Sequence, residues 1–327
     1  MLFLVTIILI LNGIASFAIA LKSGNPSVLW GLVAVNFLFF LGVSQAGIVF
    51  SAIMRVTRSG WGSHFSRLGE VLTISSIPFA FIVFIVIFKG GAEHIFYWYD
   101  PEHFMSMHGG RGPAHISPWV GKEFVCLRIL ISMAFFYAMS YVYYATARLE
   151  DKGVASGYDR GKRLNIIGGI MMFAYVIENT FLAWDFGMML IPHWESSIFP
   201  PYFWAGNLLA GAAFLFLMSR CFIKEAWHED AGHGGHGNGD IKFRLDGVGK
   251  VLLGFVLLWV YLFWSQHIVM WYSNLSNLAD PVFKRMTGNF AAPFWFMIFT
   301  LFILPFIGLL FRFVKLCGKS LSVIAFL

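Results

Sequence analysis

Residues 28–54 read VLWGLVAVNFLFFLGVSQAGIVFSAIM, twenty-seven positions without an Asp, Glu, Lys or Arg. A helix needs about 20 mostly apolar residues to cross the hydrocarbon core of a bilayer. This stretch therefore predicts a membrane span on its own. Its ends are punctuated: Pro26 and Ser27 open it, and Arg55 and Arg58 close it where charged side chains regain water. Outward from it the pattern repeats, with apolar runs at 2–21, 68–89, 122–147, 164–190, 197–219, 248–273 and 290–314. Residues 1–327 thus read as one all-α integral membrane domain of about eight transmembrane helices. A β-barrel would show short alternating segments, which the sequence lacks.

Composition points the same way. The chain is 58% hydrophobic and 12% charged, against roughly a quarter charged in soluble domains. That balance excludes a soluble enzyme, a disordered chain and a nucleic-acid binder. The net charge of +6 sits in short loops between apolar runs. The first run lacks a basic segment ahead of it and reads as a retained anchor rather than a cleaved leader. The last residues, SVIAFL at 322–327, have no polar closure. They read either as an interfacial tail or as the approach to a further span. Cys126, Cys221 and Cys317 stand far apart with no CxxC, so neither structural zinc nor an iron–sulfur cluster nor a CxxCH haem is expected in this chain.

Lys and Arg favour cytoplasmic loops. Sixteen of the 23 fall on the side carrying both termini and the loops 55–67, 148–163 and 220–250, six fall opposite, and Arg128 lies within a span. Both termini are predicted cytoplasmic and loop 90–121 external. The Gly- and His-rich stretch 225–240, with His228, His233 and His236, has no strong metal-ligand spacing and reads as a solvated loop.

Ionisable side chains inside spans are expensive, and they mark pathways or sites. They are Glu70, Arg128, Glu178, Asp185 and His267. At 1.5 Å per residue, Arg128, Asp185 and His267 fall at similar depths, about 8–9 Å from the outer ends of their helices. Glu178 precedes Asp185 by seven residues on the same helix face, about 10 Å deeper. The set predicts a ladder from Glu70 near the cytoplasmic end to a group near the outer boundary. On span seven, Trp264, His267, Trp271 and Asn274 recur at spacings of 3, 4 and 3 and share a face. Flat aromatic walls with an imidazole suit a quinone head group. A helix seam with interfacial Trp anchors is the plainer reading, above all for Trp271 and Tyr272. Arg128 has an alternative as a structural partner of Asp185 or Glu123. The stripe Tyr137, Tyr141, Tyr144 and Arg148 reads as packing and anchoring. Asn36, Ser44, Gln45 and Asn207 either bond between helices or line a pocket. His267 is the one histidine clearly inside a span, so a diheme cytochrome b is excluded. No mid-span Lys offers a retinal Schiff base, and no nucleotide-binding motif occurs.

Three stretches carry a family resemblance: RLGE at 67–70, ENTFLAWDFGMMLIPHWESSIFPPYFWAG at 178–206 and LLWVYLFWSQHIVMWYSNL at 257–275. Together they resemble the NrfD/polysulfide reductase membrane-subunit family, and most of all the F-type membrane subunit of bacterial alternative complex III. The likeness covers most of residues 67–315. Asn274 to Asn277 lacks the acidic residues that follow this turn in the F-type pattern, and eight spans is the number in the polysulfide reductase type. The resemblance implies helices grouped in four-helix bundles, with menaquinone or another quinone as exchange partner. It implies iron–sulfur and/or multihaem cytochrome c subunits on the periplasmic side, a paralogous NrfD-like membrane subunit alongside, and surrounding lipid of a bacterial inner membrane. No haem or iron–sulfur cluster is expected in this chain itself. The implied functional positions are Glu70, Arg128, Glu178, Asp185 and His267. The expected function is that of a membrane subunit of a quinone-linked respiratory oxidoreductase. Its candidate quinone contacts are His267, Asp185, Arg128, Trp264 and Trp271, and its candidate proton pathway is Glu70, Glu178, Asp185 and His267. The alternative is a structural anchor, or a proton-conducting subunit without a quinone site.

Overall fold

A computed structural model describes residues 17, 19, 24–59, 62–96, 98–99, 119, 121–151, 158–191, 194–222 and 237–327. Among them there are helices and connecting turns but no strand. In chain order the helices are α1 (Pro26–Val56), α2 (Ser63–Ser75), α3 (Ile77–Gly90), α4 (Ala92–Ile95), α5 (Lys122–Asp151), α6 (Tyr158–Phe186), α7 (Phe199–Phe222) and α8 (Gly237–Ser273). Then follow α9 (Ser276–Thr287), α10 (Ala291–Ile298), α11 (Leu304–Leu310), α12 (Arg312–Leu316) and α13 (Gly318–Phe326).

Seven helical stretches among the described residues are long and apolar enough to cross a membrane: Pro26–Val56, Phe65–Gly90, Lys122–Leu149, Gly161–Leu190, Phe199–Phe222, Ile241–Ser273 and Ala291–Leu310. The chain is an all-α, multi-pass membrane protein. The span expected at 2–21, most of loop 90–121 and the histidines of 225–240 lie outside the described residues. Large apolar side chains such as Ile131, Phe173 and Tyr261 are exposed, as lipid-facing surfaces require.

Local chemistry explains where helices bend. The run expected as one span at 68–89 is two helices, joined at Ser76, two residues before Pro78. Proline lacks an N–H and disfavours α-geometry in the residue before it. The last span carries a π-turn at Phe299–Ile303 immediately before Pro305, an arrangement that absorbs the missing donor. Asn274 closes α8 with φ of 48°, a left-handed conformation that Asn tolerates better than most residues.

The chain divides into two compact units. One comprises 1–40 and 78–128, the other 41–77 and 129–327. In the first, Trp30, Phe37 and Phe84 are buried, and the Phe37 ring packs on Phe79 and Phe84. In the second, α7 is central: α2, α6, α8 and α13 all pack on it. Close approach there depends on glycine. A Cβ on Gly69 would lie 2.2 Å from the Gly47 carbonyl oxygen, and one on Gly47 would lie 2.7 Å from the Gly69 oxygen. Thus α1 and α2 meet backbone to backbone.

Candidate functional site

The polar interior of the second unit is organised around two carboxyls. Glu178 lies on the inward face of α6 with Tyr175, Asn179 and Leu182, and all four are buried. The Gln45 side-chain amide donates to Glu178 Oε1 at 2.7 Å. The Asn179 amide donates to Gln45 Oε1 at 3.1 Å and to the Tyr175 carbonyl at 3.0 Å. The Asn207 amide donates to Asn179 Oδ1 at 2.9 Å. Three amides from α7, α6 and α1 therefore hand hydrogen bonds in one direction, ending on Glu178. A Cβ on Gly42 would fall 2.4 Å from Asn207 Cγ, so the glycine makes room for the first amide. The other Glu178 oxygen, Oε2, has no hydrogen-bond partner among the described residues, although the residue is 0% exposed. Such an atom in a native interior calls for a reason.

Glu70 on α2 is also 0% exposed but is fully engaged. Ser51 Oγ donates to its Oε1 at 2.7 Å, and the Tyr143 hydroxyl lies 3.2 Å from the same Ser51 oxygen. Arg67 reaches Oε2 at 3.4 Å and Arg55 approaches Oε1 at 3.8 Å. The arginine side chains are 35% and 25% exposed, so this end of the network touches the surface.

Between the two carboxyls a side chain of α2 bonds to the backbone of α1. Thr73 Oγ1 accepts the Ile48 N–H at 3.0 Å and donates to the Ser44 carbonyl. An α-helix pairs those two groups with each other, so the Thr73 hydroxyl docks on one rung of the α1 ladder. The Tyr137 hydroxyl faces this region, 3.4 Å from Ser76 Oγ and beside the Gln45 and Ser44 side chains.

Asp185 and His267 belong to the same unit. Asp185 is fully buried two turns along α6 from Glu178. His267 on α8 is partly buried, and its Nδ1 lies 2.7 Å from the Phe263 carbonyl. A carbonyl can only accept, so Nδ1 carries the proton and Nε2 is the acceptor. The imidazole stacks on Phe263 with centroids 4.0 Å apart, and Phe294 and Trp264 lie at 6.2 and 6.4 Å. Trp264 and Trp271 are 49% and 67% exposed, whereas the neighbouring Gln266 is buried. The helices carrying Asp185 and His267 both pack on α7. Arg128 belongs to the first unit, where its guanidinium sits 4.2 Å from the Trp119 ring centroid and donates to the Trp119 carbonyl. Asn36, also in that unit, bonds back to the Leu32 carbonyl of its own helix. The aromatic run after α6 has a packing role: Trp194 packs with Met270 and Val282 against Phe199.

Sequence reading singled out Glu178, Glu70, Gln45 and Asn207 but missed Asn179, Ser51, Thr73 and Tyr143. One signal was available: Ser44, Ser51 and Arg55 lie at spacings of seven and four on α1, a polar face in an otherwise apolar helix. No family model matches this sequence, and no curated protein matches it.

Proposed function

We propose that the chain is a proton-transferring membrane subunit of a quinone-linked respiratory oxidoreductase of the alternative complex III type, seated in a bacterial inner membrane. The observation that carries this reading is Glu178: a carboxyl enclosed in the spans, tethered through one oxygen by a directed amide chain and with its other oxygen uncommitted. A buried carboxyl of this kind is hard to explain as a stabilising group, because burying it costs more than a single amide returns. It suits a group that takes up and releases a proton. Glu70, with its partly exposed arginines, is the end of the route that meets water.

His267 supplies the base at the quinol end. Its Nδ1 bond to the Phe263 carbonyl orients the ring and leaves Nε2 as acceptor. Phe263, Trp264 and Phe294 provide flat walls for a planar head group, and the exposure of Trp264 and Trp271 leaves that face open to a ligand arriving from the lipid. A quinol, menaquinol or another, supplies two electrons and two protons. The electrons pass to an iron–sulfur or multihaem cytochrome c subunit on the periplasmic side, next to a paralogous membrane subunit. Asp185, buried two turns along α6 from Glu178, completes the candidate proton residues within this unit.

The test uses the purified complex in proteoliposomes. Glu178→Gln abolishes proton movement while quinol oxidation continues; unchanged proton movement would refute the reading. His267→Phe lowers quinol oxidation at least tenfold if this chain holds the head group. α6 and α8 each pack on α7, which leaves room for one second reading, a proton-conducting subunit whose quinone site lies in the paralogue. Under that reading His267→Phe leaves oxidation intact and Glu178→Gln still stops protons.

A further inference from the structure

We propose that Ser140 is the relay point joining the Glu178 network to the Glu70 network, so that the two carboxyls share one proton route along α1 and α5. The proposal rests on Glu178 exchanging protons, as argued above, and adds the route.

The geometry is set by one helix face. Tyr137, Ser140 and Tyr143 follow each other at spacings of three on α5, and all three are buried. Tyr137 faces Gln45, Ser44 and Ser76, the surroundings of Glu178. Tyr143 meets Ser51, which holds Glu70. These two contacts fix the register of α5 beside α1, with 137 level with 44–45 and 143 level with 51. Ser140 therefore stands midway, level with the point where the Thr73 hydroxyl docks on the α1 backbone at Ser44 and Ile48.

The Ser140 hydroxyl is unusual for a helix interior. Ser132, Thr180 and Ser219 turn their hydroxyls back on a carbonyl of their own helix, the ordinary solution for such residues. Ser140 does not: its Oγ is buried and has no hydrogen-bond partner among the described residues. A buried polar atom without a partner in a native interior calls for a reason, a bound water among them, and this one stands level with the hydroxyl that joins α1 to α2. Neighbours three apart on a helix face have Cβ atoms about 5–6 Å apart, a gap that one water bridges. Each hydroxyl or water on the route accepts one proton and passes on another, so all end unchanged. The net event is one proton delivered from the water at the Glu70 end to the Glu178 carboxylate. The titratable or charged groups facing the route are Tyr137 and Tyr175 around Glu178, and Arg55, Arg67, Glu70 and Tyr143 at the other end.

The experiment follows the Glu178 carboxyl directly by infrared spectroscopy on the assembled complex in liposomes, its carbonyl band assigned by loss in Glu178→Gln. After a pH jump, the band follows within the wild-type time. Ser140→Val slows it at least tenfold, whereas Ser140→Thr, equal in size but retaining a hydroxyl, restores a rate within about threefold of wild type. Equal rates for Val and Thr overturn the proposal while leaving the proton role of Glu178 standing. A wild-type band that never responds to pH overturns both. Should neither substitution fold, Tyr143→Phe removes the next hydroxyl at almost constant volume and must give the same tenfold slowing; an unchanged rate overturns the route.

Discussion

At the residue scale the decisive contrast is between Glu70 and Glu178. Both are carboxyls with no exposed surface, yet one is surrounded by a hydroxyl and two arginines and the other by a single amide. The first arrangement commits both oxygens, and the second leaves one available. Gln45 is the hinge of the second, since it donates to Glu178 and accepts from Asn179. Replacing Gln45 with Leu leaves Glu178 Oε1 without its donor and Asn179 with only its Tyr175 bond as donor, which costs about 1–3 kcal/mol per unsatisfied buried group. The expected result is a lowered unfolding temperature of the detergent-solubilised protein, while Gln45→Glu disturbs it differently by setting two carboxyls together. An unfolding temperature equal to wild type in Gln45→Leu would show that the amide chain contributes nothing. Glu178 was legible in the sequence because a charge inside an apolar run is conspicuous. Asn179 was not, since an amide beside a carboxylate carries no positional signal until α1 and α7 are packed against it.

At the element scale, α1 is tied to α2 through its own backbone. Thr73 bonds to the Ser44 carbonyl and the Ile48 N–H, and the glycines at 47 and 69 bring the two backbones near enough for that. Two substitutions separate the contributions. Gly69→Ala puts a methyl against the Gly47 carbonyl, where backbone must yield, and the expected loss is on the order of 1–3 kcal/mol with reduced yield of folded protein. Thr73→Val removes the docked hydroxyl at constant shape. It is expected to destabilise by about 1 kcal/mol, and Thr73→Ser is expected to recover it; thermal unfolding measures both. The stripe on α8 teaches the opposite lesson. Periodicity correctly grouped Trp264, His267 and Trp271 on one face, but whether that face points inward or outward follows from what α8 packs on. Trp264 and Trp271 are exposed, and Gln266 is the buried amide.

At the scale of the whole molecule, the distribution of Lys and Arg predicts a side for every loop, and the C-terminal segment offers a direct check. Cys317 is exposed beyond the last span. Hydrogen bonds from the Ser320 side chain and backbone and from the Lys319 backbone hold its thiol below the ordinary range. A lowered value means more thiolate near neutral pH and faster alkylation. In a variant retaining Cys317 alone, a membrane-impermeant maleimide labels sealed inverted vesicles and spares right-side-out ones. Its reaction rate rises with pH at lower pH than that of a free thiol. Labelling of right-side-out vesicles instead would invert the orientation drawn from the charge distribution.

The sequence by itself determined that this chain crosses a membrane repeatedly as helices, and roughly where. The bilayer acts on each segment independently, so length and apolarity within a single run suffice. It also marked the costly charges, because each is conspicuous against its own helix. Only the tertiary structure decided which polar groups meet. The Gln45–Glu178 bond joins positions 133 residues apart, and the pairing depends on helix packing through Gly42, Gly47 and Gly69, which no local pattern encodes.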